Sequence, residues 1–136
     1  MGGYSPCQRP MTAPLPIVLL VEDHEDSRGM YARELRRHGL EVLEAVDVVD
    51  GLSRAAEKQP TIVVSDLHPR GSLSTADLCR RFRLQGVPVI AVTAVGAGSE
   101  YEAIRAAGAA AILEKPVLPD TLLAEIRRVL SESPHA

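Results

Sequence analysis

Ile17-Val18-Leu19-Leu20-Val21-Glu22-Asp23 is an unbroken aliphatic run stopped at once by a pair of carboxylates. A strand with one wet face alternates apolar and polar side chains, so a short run with no alternation reads as a strand covered on both faces. Strands of that kind belong to parallel sheets, which need helices on either side. The run falls far short of the roughly 18 residues that suggest a membrane span. No small-residue cleavage site follows it, so it makes a poor signal peptide.

Working outward, the chain supplies those helices at regular intervals. A helix is expected from Asp26 to Arg37, with Tyr31 and Leu35 on one face and Gly39 as its stop. A strand at Glu41–Ala45 leads to a helix at Val49–Lys58, with Leu52, Ala55 and Ala56 as core contacts and an end set by Pro60. Next come a strand at Thr61–Ser65, a loop carrying Pro69 and Gly71, and a helix at Thr75–Gln85 closed by Gly86. A strand at Val87–Val92, a helix at Ser99–Ala107 ended by Gly108, and a strand at Ala110–Leu113 follow. The last helix, Pro119–Leu130, carries Leu122, Leu123, Ile126, Val129 and Leu130 as an inner stripe. Gly96 and Gly98 weaken the start of the fourth helix, so a mobile helix start is expected there.

Five strands alternating with five helices describe an α/β, doubly wound parallel sheet with right-handed crossovers. Residues 1–16, with Gly2, Gly3, Pro6, Pro10, Pro14 and Pro16, have the composition of a disordered leader. That places one folded domain at 17–131 and a short tail at 132–136.

A chain of 136 residues makes one core and leaves no room for an appended catalytic or DNA-binding domain. Its formal net charge of −3 lacks the basic excess of a phosphate-backbone binder, so direct nucleic-acid binding is not expected. The two cysteines, Cys7 and Cys79, show no metal or disulfide spacing and suit a reduced, cytoplasmic setting. His24, His38, His68 and His135 are scattered and read as partly exposed polar residues, with His24 and His68 near a pocket mouth. Arg36-Arg37 and Arg80-Arg81 read as solvated helix faces, and Tyr31 and Phe82 as packing residues.

Ligands of open parallel sheets sit beyond the carboxyl ends of the strands. Glu22 and Asp23 end the first strand, Asp66 the third, Thr93 the fourth and Lys115 the fifth. Converging carboxylates repel, and a hard cation such as Mg²⁺ relieves that repulsion while accepting phosphate oxygens as further ligands. Lys115 suits the neutralisation of one phosphoryl oxygen, and the Thr93 hydroxyl suits donation to another. A carboxylate is a competent nucleophile toward such a group. Each residue alone has a plainer reading, as a helix cap, a helix-start charge or a turn. Their joint placement at successive strand ends is what points to a site.

Val18-Leu-Leu-Val-Glu-Asp23, Ile62-Val-Val-Ser-Asp-Leu67, Val87-Pro-Val-Ile-Ala-Val-Thr-Ala94, Ala107-Gly-Ala109 and Ile112-Leu-Glu-Lys-Pro116 together resemble the receiver domain of bacterial two-component response regulators, over essentially all of Ile17–Leu130. The resemblance implies a flavodoxin-like sheet of order 2-1-3-4-5, with Asp66 as phosphoacceptor and a cis Lys115-Pro116 bond. It implies Mg²⁺ on Asp23, Asp66 and the His68 carbonyl, with Glu22 acting through water. It implies Thr93 and Lys115 on the phosphoryl group and small Ala94 leaving room for it. The partners implied are a sensor histidine kinase or histidine phosphotransfer protein and an unidentified downstream protein, with the first helix as a kinase-docking face. The chain then acts as a stand-alone signalling protein that catalyses only its own phosphorylation and dephosphorylation. Ile112 stands where the family usually has a switching aromatic, Val117 replaces a frequent Phe, and the loop from Leu67 to Thr75 departs from the common form. A degenerate receiver used as a constitutive interaction module is the alternative. An aspartyl-phosphate hydrolase of the haloacid dehalogenase type is a further one, though it needs an Asp where His68 stands.

Overall fold

β1 (Ile17–Glu22) lies inside the sheet, and its residues Val18 to Val21 are sealed from solvent. The structure, a computed structural model, describes residues 15–66, 74–94 and 98–132. β2 (Glu41–Ala45), β3 (Ile62–Asp66), β4 (Val89–Thr93) and β5 (Ala111–Glu114) join β1 in one parallel sheet of order β2-β1-β3-β4-β5. The helices between and after them are α1 (Glu25–Arg37), α2 (Val48–Glu57), α3 (Thr75–Leu84), α4 (Gly98–Ala106) and α5 (Pro119–Glu132). This is the flavodoxin-like doubly wound fold that the sequence suggests.

The period-two alternation of a strand divides the aliphatic runs between two cores. Val18, Leu20, Ile62, Val64, Ile90 and Val92 meet Tyr31, Ala32 and Leu35 of α1 and Leu122, Ile126 and Val129 of α5. Leu19, Val21, Val63, Val89 and Ala91 meet Ala55 of α2, Leu78 and Phe82 of α3 and Ile104 of α4. Neither face of the central strands could carry a polar side chain without burying it.

Several boundaries differ from the sequence reading, for local reasons. α1 starts at Glu25 because exposed His24 is its cap, with Nδ1 accepting the Ser27 N–H at 3.3 Å. α3 starts at Thr75 as expected, behind a capping box in which Ser74 and Asp77 satisfy each other's backbone N–H groups, and ends a residue early at Leu84. A 2.8 Å hydrogen bond between the Ser65 and Thr75 hydroxyls fixes that helix start to β3, one residue before Asp66. Asp66 belongs to β3 as its last residue, Thr93 likewise closes β4, and Glu114 closes β5. β4 begins at Val89, two residues after the expected start, and α5 continues to Glu132.

Ala56, expected in the core, is exposed, because α2 presents Val48, Gly51 and Ala55 to the sheet. Pro16 does not belong to a leader, since its carbonyl accepts the Glu41 N–H at 3.0 Å. Residues 1–14 of the expected leader, the loop with Pro69 and Gly71, Gly96, and residues 133–136 of the tail lie outside the described residues.

Two helical glycines make opposite predictions. A Cβ on Gly51 would lie 3.1 Å from Cγ2 of Val21, a sealed core methyl, whereas a Cβ on Gly29 meets nothing within 4 Å. Gly51→Ala should therefore lower stability by about 1–3 kcal/mol. Gly29→Ala should raise it by about 0.5–1 kcal/mol through helix propensity. Urea unfolding midpoints measured side by side check both signs.

Candidate functional site

Parallel register sets Glu22 of β1 directly beside Asp66 of β3. On the other side of Asp66, the register of β4 with β5 pairs Thr93 with Glu114, and the Lys115 N–H donates to the Thr93 carbonyl at 2.8 Å. The Lys115 ammonium then reaches across the β4 end to lie 2.7 Å from Asp66 Oδ1. Glu22, Asp66 and Thr93 are buried, at 1%, 4% and 3% exposure.

Among the described residues, two buried side-chain oxygens have no hydrogen-bond partner, Asp66 Oδ1 and Thr93 Oγ1. Lys115 gives Asp66 Oδ1 an opposite charge at close range without a well-aligned hydrogen bond. The Thr93 hydroxyl, left without any partner, costs about 1–3 kcal/mol. Both such atoms stand at the same end of adjacent strands, where an incoming group of oxygens and protons could satisfy them.

Burial raises the Glu22 carboxyl to about 8, and the neighbouring Asp66 and Asp23 carboxyls push the same way. The His24 N–H, donating to Glu22 Oε2 at 2.9 Å, pulls against them. Burial pulls the Lys115 ammonium down, but Asp66, Glu22 and Asp23 outweigh it and hold the ammonium above its ordinary value. The pocket therefore divides its charge, with Lys115 paired to Asp66 and the proton favoured on Glu22 near neutral pH.

Glu22, Asp66, Thr93 and Lys115 are thus brought together. Asp23 sits at the rim, exposed, with its carboxyl hydrogen-bonding toward Glu22 and its charge acting on Lys115. His68 lies outside the described residues, and the Lys115-Pro116 bond is cis as the resemblance implies. No three His, Cys, Asp or Glu side chains among the described residues group closely enough to hold a metal ion by themselves. Ile112 is half-buried against the core between the sheet and α2, α3 and α4.

Sequence reasoning missed the groups that brace the pocket. Arg28 Nη1 donates to the Glu22 carbonyl at 3.0 Å while its Nε lies 3.3 Å from Glu44 Oε1 on β2. Arg36 is no simple solvated residue, since it also reaches Glu44, at 3.1 Å, and donates to the Val42 carbonyl. Nothing in local spacing signals an Arg paired with a particular side chain of the strand that follows its helix. Tyr31 is packed as expected, but its hydroxyl donates to the Val117 carbonyl at 2.5 Å, which no sequence period reveals.

The family model described as the response regulator receiver domain matches residues 18–127. The chain belongs to this family. This receiver is 30% identical over 117 residues to the protein PilH of Pseudomonas aeruginosa, a match covering 84% of this chain and 97% of PilH. It is 35% identical to the response regulator MprA of Mycobacterium sp. strain KMS over 83% of this chain but only 50% of MprA. A CheY-like receiver domain protein from Methanospirillum hungatei superposes with a TM-score of 0.80 at 25% identity, over 88% of this chain and 97% of that one.

The Glu22 proton makes stability pH-dependent in a metal-free buffer. A carboxyl raised on folding contributes stability below its unfolded value, near 4.5, and that contribution is lost as pH rises through about 8. Thermal melts in the presence of a chelator should therefore show the melting temperature falling between pH 5 and 8.5, measured over about that window. Glu22→Gln should flatten the fall.

Proposed function

We propose that this receiver accepts a phosphoryl group on Asp66 from a phosphohistidine of a sensor histidine kinase or phosphotransfer protein. The observation that carries this reading is the buried Asp66 carboxylate, held only by the Lys115 ammonium at Oδ1, next to a buried Thr93 hydroxyl that lacks a partner. An Asp66 oxygen attacks phosphorus, the new O–P bond forms, the N–P bond to imidazole breaks, and its electron pair stays on the imidazole nitrogen. Lys115, already 2.7 Å from the nucleophile, keeps its charge and shifts its ion pair to a phosphoryl oxygen, and the Thr93 hydroxyl gains an acceptor for its proton.

Mg²⁺ fits this donor set, because hard cations take one or two carboxylates together with water and phosphate oxygens, without a protein-built cage. Asp23 and Asp66 would hold it with the His68 carbonyl, and Glu22 would act through water. When bound it supplies charge neutralisation for the crowded acids and the incoming phosphoryl oxygens. Glu22, Asp23 and Asp66 crowd one another strongly enough to keep a proton in the pocket, which is the conflict a cation resolves.

The chain acts as a cytoplasmic, stand-alone signalling protein. It catalyses its own phosphorylation and dephosphorylation and signals by altered affinity for a protein partner. The near-complete coverage of PilH supports the stand-alone reading. No helix among the described residues is long and apolar enough to cross a membrane.

Incubation with acetyl phosphate and Mg²⁺ should add one phosphoryl mass, which peptide mapping should place on Asp66. Asp66→Ala should abolish the adduct, and Lys115→Ala should slow its formation by roughly 10²-fold or more. With Ile112 in place of a switching aromatic, absence of any adduct in the wild-type protein would favour a phosphorylation-independent interaction module.

A further inference from the structure

Lys115 is the mobile charge of the proposed chemistry, so whatever holds its backbone sets where the ammonium sits. Upstream, its own N–H is bonded to the Thr93 carbonyl. Downstream, the chain passes through Pro116 to Val117, whose carbonyl takes the Tyr31 hydroxyl at 2.5 Å. Tyr31 and Val117 are both buried, at 9% and 8% exposure, in the core shared with Leu122 and Leu123 of α5. α1 therefore holds the segment after Lys115 by one directed bond through a rigid ring.

The same ring lies within reach of the pocket's charges. Burial raises the Tyr31 phenol, the Asp66 and Glu22 carboxylates raise it further, and Lys115 lowers it. Ile112 packs on the opposite face of the sheet from Tyr31, since the two belong to different cores. Tyr31 is thus a buried aromatic on α1 whose phenol is subject to the pocket's charges.

We propose that Tyr31 is a positioning residue for the phosphoacceptor site: its hydroxyl bond to Val117 holds the Lys115 ammonium over Asp66 and couples the position of Lys115 to α1. This rests on the reading of Asp66 as phosphoacceptor. A purely space-filling Tyr31 would leave the chemistry to the ring alone, and Phe would replace it without effect on Lys115.

The test is a cycle on the full chain with Tyr31→Phe, Lys115→Ala and the double variant, each assayed for adduct formation from acetyl phosphate and Mg²⁺ below the melting temperature of the least stable form. Tyr31→Phe should slow wild-type phosphorylation about three- to tenfold, as loss of one hydrogen bond implies. It should slow the Lys115→Ala background little further, while lowering the melting temperature in both backgrounds. Unchanged phosphorylation, or an equal slowing in both backgrounds, overturns the proposal. No adduct in the wild type instead removes the phosphoacceptor reading, and this proposal with it.

Should Tyr31→Phe fail to fold, the absence of tryptophan and the presence of three tyrosines allow a single-tyrosine protein made by Tyr4→Phe and Tyr101→Phe. Its near-UV circular dichroism should change when beryllofluoride and Mg²⁺ are added. An unchanged spectrum after adduct formation overturns the coupling.

Discussion

The ion pair between Lys115 and Asp66 ties the end of β3 to the segment after β5, across the end of the strand between them. Asp66 is almost fully buried beside another buried acid, and without a cation close by that arrangement would push a proton onto one of them or force the acids apart. The pocket takes both remedies in part. Lys115 covers Asp66, and Glu22 is left favouring its proton near neutral pH. The result is a site whose charges are balanced but replaceable, which suits a group that arrives with its own negative oxygens.

The supports around this pair are arranged to keep it from relaxing. Arg28 and Arg36 converge on Glu44 and bind the backbone of β1 and β2, so the first helix grips the strand that carries Glu22. Ser65 and Thr75 lock the start of α3 to the strand that carries Asp66. Tyr31 and the Thr93 carbonyl hold the chain on either side of Lys115. The two sealed cores beneath pack the central strands against helices on both faces, which restricts how far the strand ends can shift. A buried Thr93 hydroxyl without a partner beside a singly ion-paired Asp66 persists only where the surrounding structure is so determined.

Much of this was legible before any coordinates. The unalternated run at Ile17–Val21, the carboxylates after it, and the glycine and proline stops between periodic segments were enough for a doubly wound sheet with the acids at its carboxyl edge. Those signals are local, a matter of which side chains can be buried and where a helix must end. The elements that were misplaced failed at their ends, where a single side chain decides. His24 starts α1 a residue early by accepting a backbone hydrogen bond, and Ala56 lies outside the core because α2 turns Val48, Gly51 and Ala55 to the sheet.

Sequence alone therefore placed Glu22, Asp23, Asp66, Thr93 and Lys115 within a residue of the carboxyl ends of their strands, because burial patterning shows where each strand stops. Tertiary structure decided how those groups share charge. Which acid favours the proton, which oxygen lacks a partner, and which distant side chain holds Lys115 depend on distances between elements far apart in the chain. Electrostatic and hydrogen-bond energies change steeply over those few ångströms, and no pattern along the chain encodes them.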